Sequence, residues 1–360
     1  MTSIDRAGAW ALTLLAAANT AFAAITLVLA MMVQPAAAAA ATMTAQDSVC
    51  GGDNLFAQLQ AADPAAHAAV LAEARATSFS DTLLYRIEKD GAAPSWLFGT
   101  MHMTDPRIVQ LSPKVQTAFD AAETLVIETD EILDITKAQL ALLSRPDLQM
   151  FTDGARLSDF IEEEDRAVLD EGLAQRGLQL ALIDRMKPWM VTGMVALPAC
   201  EMQRKQAGEP FLDIALAERA AASGKDVRGL ETIVEQLDAM ASLPIEFHVQ
   251  GLVETIKLGD MMDDVIETMI QLYLDENIAA VMPTLEHIAA EATGATDAEG
   301  YAAFEEKIIT NRNRIMAERA APMLDEGGVF LAVGALHLPG EEGVAQLLQD
   351  AGYTITPVRD

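Results

Sequence analysis

Ser95-Trp-Leu-Phe-Gly-Thr-Met-His102 reads as a short apolar strand that runs into a glycine turn and delivers one histidine. A second copy of the device stands near the other end of the chain, Val329-Phe-Leu-Ala-Val-Gly-Ala-Leu-His337. After each Gly-x-x-His comes a proline-bearing loop, an amphipathic stretch at helical spacing and another apolar strand. In the first copy these are Pro106, 113–122 and 125–127, and in the second Pro339, 343–351 and 353–358. Glycine three residues ahead of each histidine lets the chain turn sharply off the strand and lets other groups approach its backbone. Open α/β sheets keep their chemistry just beyond the carboxyl ends of their strands. Two histidines so placed point to one shared site.

Working outward, 82–89 alternates as a strand and 90–94 is a Gly/Pro turn, so 82–100 is expected to form a hairpin. Residues 54–76 carry apolar residues at helical spacing, broken once at Pro64. Ser112-Pro113 places serine at a helix cap and proline at the first helical position. From 132 to 314 the pattern is helical, with helices expected over 136–144, 158–174, 178–186, 188–206, 211–223, 231–241, 245–276, 278–291 and 299–320. One short strand, 225–229, interrupts them. The expectation is an α/β fold in which both ends of the chain build one central mixed sheet. A large helical insertion, about 132–314, fills the middle of a single domain spanning 46–360.

Lys+Arg 24 against Asp+Glu 54 gives the 360-residue chain a formal charge of -30. That field repels phosphate backbones and anionic headgroups, so nucleic acid and basic-patch membrane binding are both disfavoured. Residues 1–45 read as a signal peptide or membrane anchor. Arg6 precedes an apolar run over 7–33, then come Pro35 and an alanine tract, with Ala41 or Ala45 as the cleavage point. The run is also long enough to span a bilayer uncleaved. The body of the protein is expected to be exported, periplasmic or held at the inner membrane by that segment. Cys50 and Cys200 are the only cysteines. In an oxidising compartment they make most simply one disulfide, and in the cytosol two buried thiols.

Of the five histidines, His102 and His337 occupy equivalent places in the two copies. His67, His248 and His287 read as surface, the last beside Glu286 and Glu291 on an acidic helix face. Glu128 ends an otherwise apolar strand, where burying a carboxylate is costly unless it is paired or coordinating. His102, His337 and Glu128 together make a two-histidine, one-carboxylate set of the kind that binds a divalent transition metal (Mn, Co or Zn) and leaves positions open. The alternative for Glu128 is a helix cap or an arginine pair. Glu231 follows the short strand, as a further ligand, a general base or simply a first-turn acid. Arg312, in Asn311-Arg-Asn-Arg314, is placed to hold a substrate carboxylate or a developing oxyanion, or to make a surface salt bridge. No His-Glu-x-x-His, Gly-x-Ser-x-Gly, phosphate-loop or dinucleotide motif occurs. The eighteen methionines, being dispersed, read as core filler.

With those residues in view the chain resembles the TraB/GumN family, in a wider group that includes the Tiki proteases and ChaN-like and erythromycin-esterase-like folds. The matching pieces are Leu97-Phe-Gly-Thr-Met-His102 with Asp105-Pro106, Glu128, Lys187-Pro-Trp189, Asp213, Gly229-Leu-Glu-Thr232 with Gln236, Arg312-Asn313, Val333-Gly-Ala-Leu-His-Leu-Pro-Gly340 and Gly352-Tyr353. Cys50-Gly-Gly52, Asn54-Leu55 and Cys200 are similar to its exported bacterial branch. The resemblance implies that both Gly-x-x-His histidines and the strand-end glutamate share one site. It implies metal-dependent peptidase activity with His102, His337 and Glu128 as ligands, and it favours Glu231 and Arg312 as site residues. The expected function is an exported metal-dependent hydrolase acting on a peptide or other small substrate. The competing expectations are a non-catalytic envelope protein that binds a ligand such as haem or assists polysaccharide export, and a plain scaffold.

Overall fold

A computed structural model describes residues 50–293 and 303–359. Its strands, in chain order, are β1 (Leu84–Glu88), β2 (Ser95–Thr100), β3 (Thr124–Ile127), β4 (Asp226–Gly229), β5 (Val329–Gly334) and β6 (Thr354–Pro357). They form one six-stranded sheet in the order β4-β3-β5-β2-β1-β6. β4, β3, β5 and β2 run parallel, whereas β1 is antiparallel to both β2 and β6. The mixed α/β sheet built from both chain ends is therefore as expected, hairpin included, with Leu84 opposite Phe98.

Every residue of β5 is buried, because parallel strands covered by helices on both faces need apolar side chains in both directions. Alternate residues serve opposite layers. Phe98, Ile127, Phe330 and Ala332 join the core on one face. Leu97, Val126, Leu331 and Val333 join the core on the other. A third cluster forms among the helices Glu163–Gln175, Pro188–Val195 and Ile245–Leu258, which pack on one another away from the sheet.

The helical middle is shorter-jointed than its periodicity suggests. Expected helix 188–206 is two, Pro188–Val195 and Ala199–Gln206, because Pro198 separates them. Expected helix 245–276 is also two, Ile245–Leu258 and Met261–Leu274, divided at Gly259, whose φ of 52° favours glycine. The expected 158–174 begins with the 3-10 turn Leu157–Phe160 before Glu163–Gln175, and 178–186 contracts to Leu180–Ile183. Of expected helix 299–320, the described part is a π turn, Glu305–Thr310, feeding Asn311–Glu326. Ser112 holds the cap position of Pro113–Ala121, but its hydroxyl makes no cap bond. At Pro64 the break is real, and Asp63 caps the second helix through the amides of Ala65 and Ala66.

Cys50 and Cys200 form a disulfide, with Cα atoms 5.7 Å apart. The expected leader or anchor, 1–45, lies outside the described residues. Among the described residues no helix is long and apolar enough to cross a membrane.

Candidate functional site

Because β2, β3, β4 and β5 are parallel neighbours, the residues that follow them leave from one sheet edge. That edge gathers His102 after β2, Glu128 after β3, Glu231 after β4 and His337 after β5. The two Gly-x-x-His turns touch at their roots. A Cβ on Gly99 would lie 3.0 Å from both Cα and Cβ of Ala335, so glycine is what allows the approach.

Both histidines are buried, at 1% and 0% exposure. Nε2 of His102 and Nε2 of His337 each stand 4.0 Å from the same atom, Glu128 Oε1. Among the described residues neither Nε2 has a hydrogen-bond partner. On its other nitrogen, each ring is held by a residue from a different helix. His102 Nδ1 meets Asp213 Oδ2 at 2.7 Å, and Asp213 Oδ1 accepts the Thr100 hydroxyl at 2.8 Å. His337 Nδ1 meets Asn313 Oδ1 at 2.6 Å, and Asn313 Nδ2 donates to the Glu342 carbonyl at 2.8 Å.

Glu128 is held from several sides. Its Oε1 accepts the Gly334 amide at 2.7 Å, and its Oε2 accepts Arg312 at 2.7 Å and Gln236 at 3.1 Å. Arg312 also makes paired bonds to Glu231, Nε to Oε1 at 3.2 Å and Nη2 to Oε2 at 2.8 Å. The Glu231 amide in turn donates to the Glu128 carbonyl at 2.7 Å. In this structure the guanidinium therefore binds the chain's own two carboxylates, so pairing with an arginine is realised at Glu128.

The pKa directions follow from this wiring. Burial alone pulls the His102 pKa down, but the Asp213 carboxylate, with Glu128 beyond it, leaves it raised. At His337 the Nδ1 partner is the neutral Asn313 amide instead of a carboxylate. Burial, then the nearby Arg312 and His102, hold its pKa well below the ordinary value. Burial opposes the Arg312 charge, yet Glu231 and Glu128 outweigh it and raise that pKa.

A second layer fixes the loop that carries His102. From the helix Ala199–Gln206, Glu201 accepts the Thr104 amide and hydroxyl, each at 2.8 Å, and Lys205 Nζ donates to the His102 carbonyl at 3.1 Å. The disulfide ties this helix to Cys50. The roots of both turns, Thr100, Met101, Gly334 and Ala335, line a narrow recess of about 20 Å³. Ile278 and Leu336 line this recess and also an open cleft of about 480 Å³, which Asn313 lines as well, whereas His102, Glu128 and His337 line neither.

All five expected site residues, His102, Glu128, Glu231, Arg312 and His337, are thus brought together. The other histidines are elsewhere. His67 packs against Phe56 with the rings tilted, and His287 lies partly buried on the helix Val281–Thr293. The surface expectation for His248 is corrected. It is buried at 1% exposure against Trp189 and Phe247 with Nε2 on the Met240 carbonyl, because this side of its helix packs into the main core, which holds Trp189, Phe247 and Met240. Sequence reasoning gives Asp213 and Thr100 no part in the site. The available signal was an acid next to Phe211-Leu212 on a core-facing helix, a position that requires a partner.

The donor chemistry suits a cation. If Asp213 accepts from His102 Nδ1 and Asn313 Oδ1 from His337 Nδ1, the neutral rings turn both Nε2 lone pairs towards one carboxylate oxygen. Among the described residues no group of three or more His, Cys, Asp or Glu side chains is arranged, as they stand, to hold a metal ion. Bonds of about 2.0–2.2 Å separate tetrahedral donors by roughly 3.4 Å, so each 4.0 Å spacing would close by roughly 0.6 Å, about 0.3 Å for each group. Buried, orphaned nitrogens with a shared oxygen fit a divalent ion.

The model of the TraB/PrgY/gumN family matches residues 83–357. The chain is 23% identical to the metalloprotease TIKI1 of Homo sapiens over 326 residues, 76% of this chain and 61% of the relative. It is 23% identical to the metalloprotease TIKI2 of Danio rerio over 310 residues, 73% of this chain and 58% of the relative. The chain thus spans about three-fifths of the length of the curated relatives it matches. No solved structure matches.

Proposed function

The chain belongs to the TraB/PrgY/gumN family, and from that premise we propose that it is an exported metal-dependent hydrolase that cleaves peptide bonds. The observation that carries this reading is the pair of buried, partnerless Nε2 atoms aimed at one oxygen of Glu128. In this reading His102, His337 and Glu128 would hold a divalent ion, Mn, Co or Zn. Such an ion supplies a water of lowered pKa and a Lewis acid for the carbonyl.

The chain's own residues do the rest. Asp213 and Asn313 hold the imidazoles in place. Arg312 holds Glu128 in place, Glu231 anchors Arg312, and either acid could take a proton from the activated water. A peptide enters along the cleft, and its reacting carbonyl is presented over the recess between the two turns. Distant likeness to proteins named metalloproteases supports the reaction class. The disulfide supports export, since such bonds persist in oxidising compartments.

A peptide-library cleavage screen on the purified protein tests the activity. Cleavage is expected with added Mn, Co or Zn, loss with chelator, and loss in Glu128→Ala. Cleavage that survives chelator and Glu128→Ala equally would refute the proposal.

A further inference from the structure

We propose that Asp213 and Asn313 are positioning residues that select the tautomer of the two site histidines. They place the proton of each ring on Nδ1 and leave each Nε2 free for a cation. The inference concerns the rings themselves, and its link to metal binding rests on the reading above.

The hydrogen bonds leave little choice. A backbone carbonyl only accepts, so the 2.8 Å contact with the Glu342 carbonyl fixes the Asn313 amide with Nδ2 towards that carbonyl and Oδ1 towards His337. The His337 Nδ1 facing Oδ1 at 2.6 Å must then be the protonated nitrogen. At His102 the partner is a carboxylate, which only accepts when ionised, and its other oxygen is already occupied by the Thr100 hydroxyl. Nδ1 of His102 is the donor as well.

Each ring has a competing arrangement. With the proton on Nε2, it would face Glu128 Oε1 at 4.0 Å, and a small ring rotation would close a hydrogen bond. That arrangement would satisfy Glu128 and cap both Nε2 atoms, removing the site. Asp213 and Asn313 are what the competing state lacks. They come from the first turns of separate helices, Leu212–Ala222 and Asn311–Glu326, so the two rings are set independently. Outer partners of this kind hold ligating histidines in other proteins, and losing one weakens metal affinity about 10–100-fold.

The test uses the metal-free full chain with 15N-labelled histidine, observed at about pH 9, where ordinary imidazoles are neutral. Wild-type protein is expected to show His102 and His337 as Nδ1–H tautomers. Asn313→Leu should move His337 to Nε2–H and leave His102 unchanged, and Asp213→Leu should do the converse. Asn313→Asp keeps an acceptor and should keep Nδ1–H at His337, a rescue that a merely structural role does not produce.

Zinc titration at fixed pH is the second readout. An affinity loss of about 10–100-fold is expected in the Leu variants, largely recovered in Asn313→Asp. Nε2–H tautomers in the wild type would overturn the inference whether or not the variants fold, as would Leu variants that fold and keep both Nδ1–H signals. Wild-type protein with both Nδ1–H tautomers and no zinc binding would uphold the positioning role and refute the metal reading.

Discussion

Arg312 Nη2 lies 2.7 Å from Glu128 Oε2, with both side chains almost wholly buried. The same nitrogen lies 2.8 Å from Glu231 Oε2, so one guanidinium compensates two carboxylates deep in the molecule. Removing one partner of a buried ion pair leaves an uncompensated charge and costs about 3–5 kcal/mol. Arg312→Met is therefore expected to lower unfolding free energy by about that amount, read from the midpoint of urea denaturation. Arg312→Lys should recover only part, because a single ammonium cannot reproduce the forked contacts to both acids.

Gly99 sets the separation of the two turns. In Gly99→Ala the new methyl meets Ala335 backbone at 3.0 Å and Leu338 at 3.1 Å. Forcing the turns apart is expected to cost about 1–3 kcal/mol. Ion affinity should fall even though no ligand is altered. The melting temperature and a zinc titration measure the two effects on one sample.

The Cys50–Cys200 bond closes a separation of 150 residues. In the chain-entropy model a loop of that length contributes roughly 4–5 kcal/mol. Cys50→Ser with Cys200→Ser is expected to lose most of it. Because Cys200 shares its helix with Glu201 and Lys205, which grip Thr104 and the His102 carbonyl, the double variant should also bind metal more weakly. Chemical denaturation with and without reductant checks the first effect.

Much of this architecture is visible in the order of residues, for reasons the structure makes plain. Gly99 and Gly334 each stand near the end of a parallel strand, three residues before a histidine, and at Gly99 the close approach of Ala335 shows why glycine is needed there. Glu128 stands out because it ends a strand of purely apolar residues, and such a placement is tolerable only with partners. The pairing of Arg312 with Glu128 and Glu231 was harder to read. Whether a charged helical residue faces solvent or another charge depends on how the helix Asn311–Glu326 lies against the sheet, which periodicity alone does not convey. Asp213 was obscured in the same way, and so was His248, whose burial follows from packing among helices far apart in sequence. The breaks at Pro198 and Gly259 were hidden by apolar periodicity that continues across them.

His248 supplies a pH prediction away from the site. Burial, with the Met240 carbonyl opposing and Lys187 adding to the effect, pushes its pKa down from 6.5 to about 4. Between those values the unfolded chain binds more protons than the folded one, so stability rises with pH and is lost on acidification from 6.5 towards 4. The slope is about 1.4 kcal/mol per pH unit, or roughly 3 kcal/mol across the window. His248→Gln, which keeps a donor for the Met240 carbonyl, is expected to flatten this acid limb when stability is followed by urea denaturation from pH 7 to 4.

The central claim is that His102, His337 and Glu128, drawn from three parallel strands, close on one ion. X-ray absorption on protein loaded with one equivalent of zinc tests it most directly. The account predicts two imidazole nitrogens at about 2.0–2.1 Å and a carboxylate oxygen at about 2.0–2.2 Å, with the imidazole signal halved in His102→Ala or His337→Ala. Zinc that does not bind stoichiometrically, or whose histidine scattering is unchanged in both variants, would contradict it.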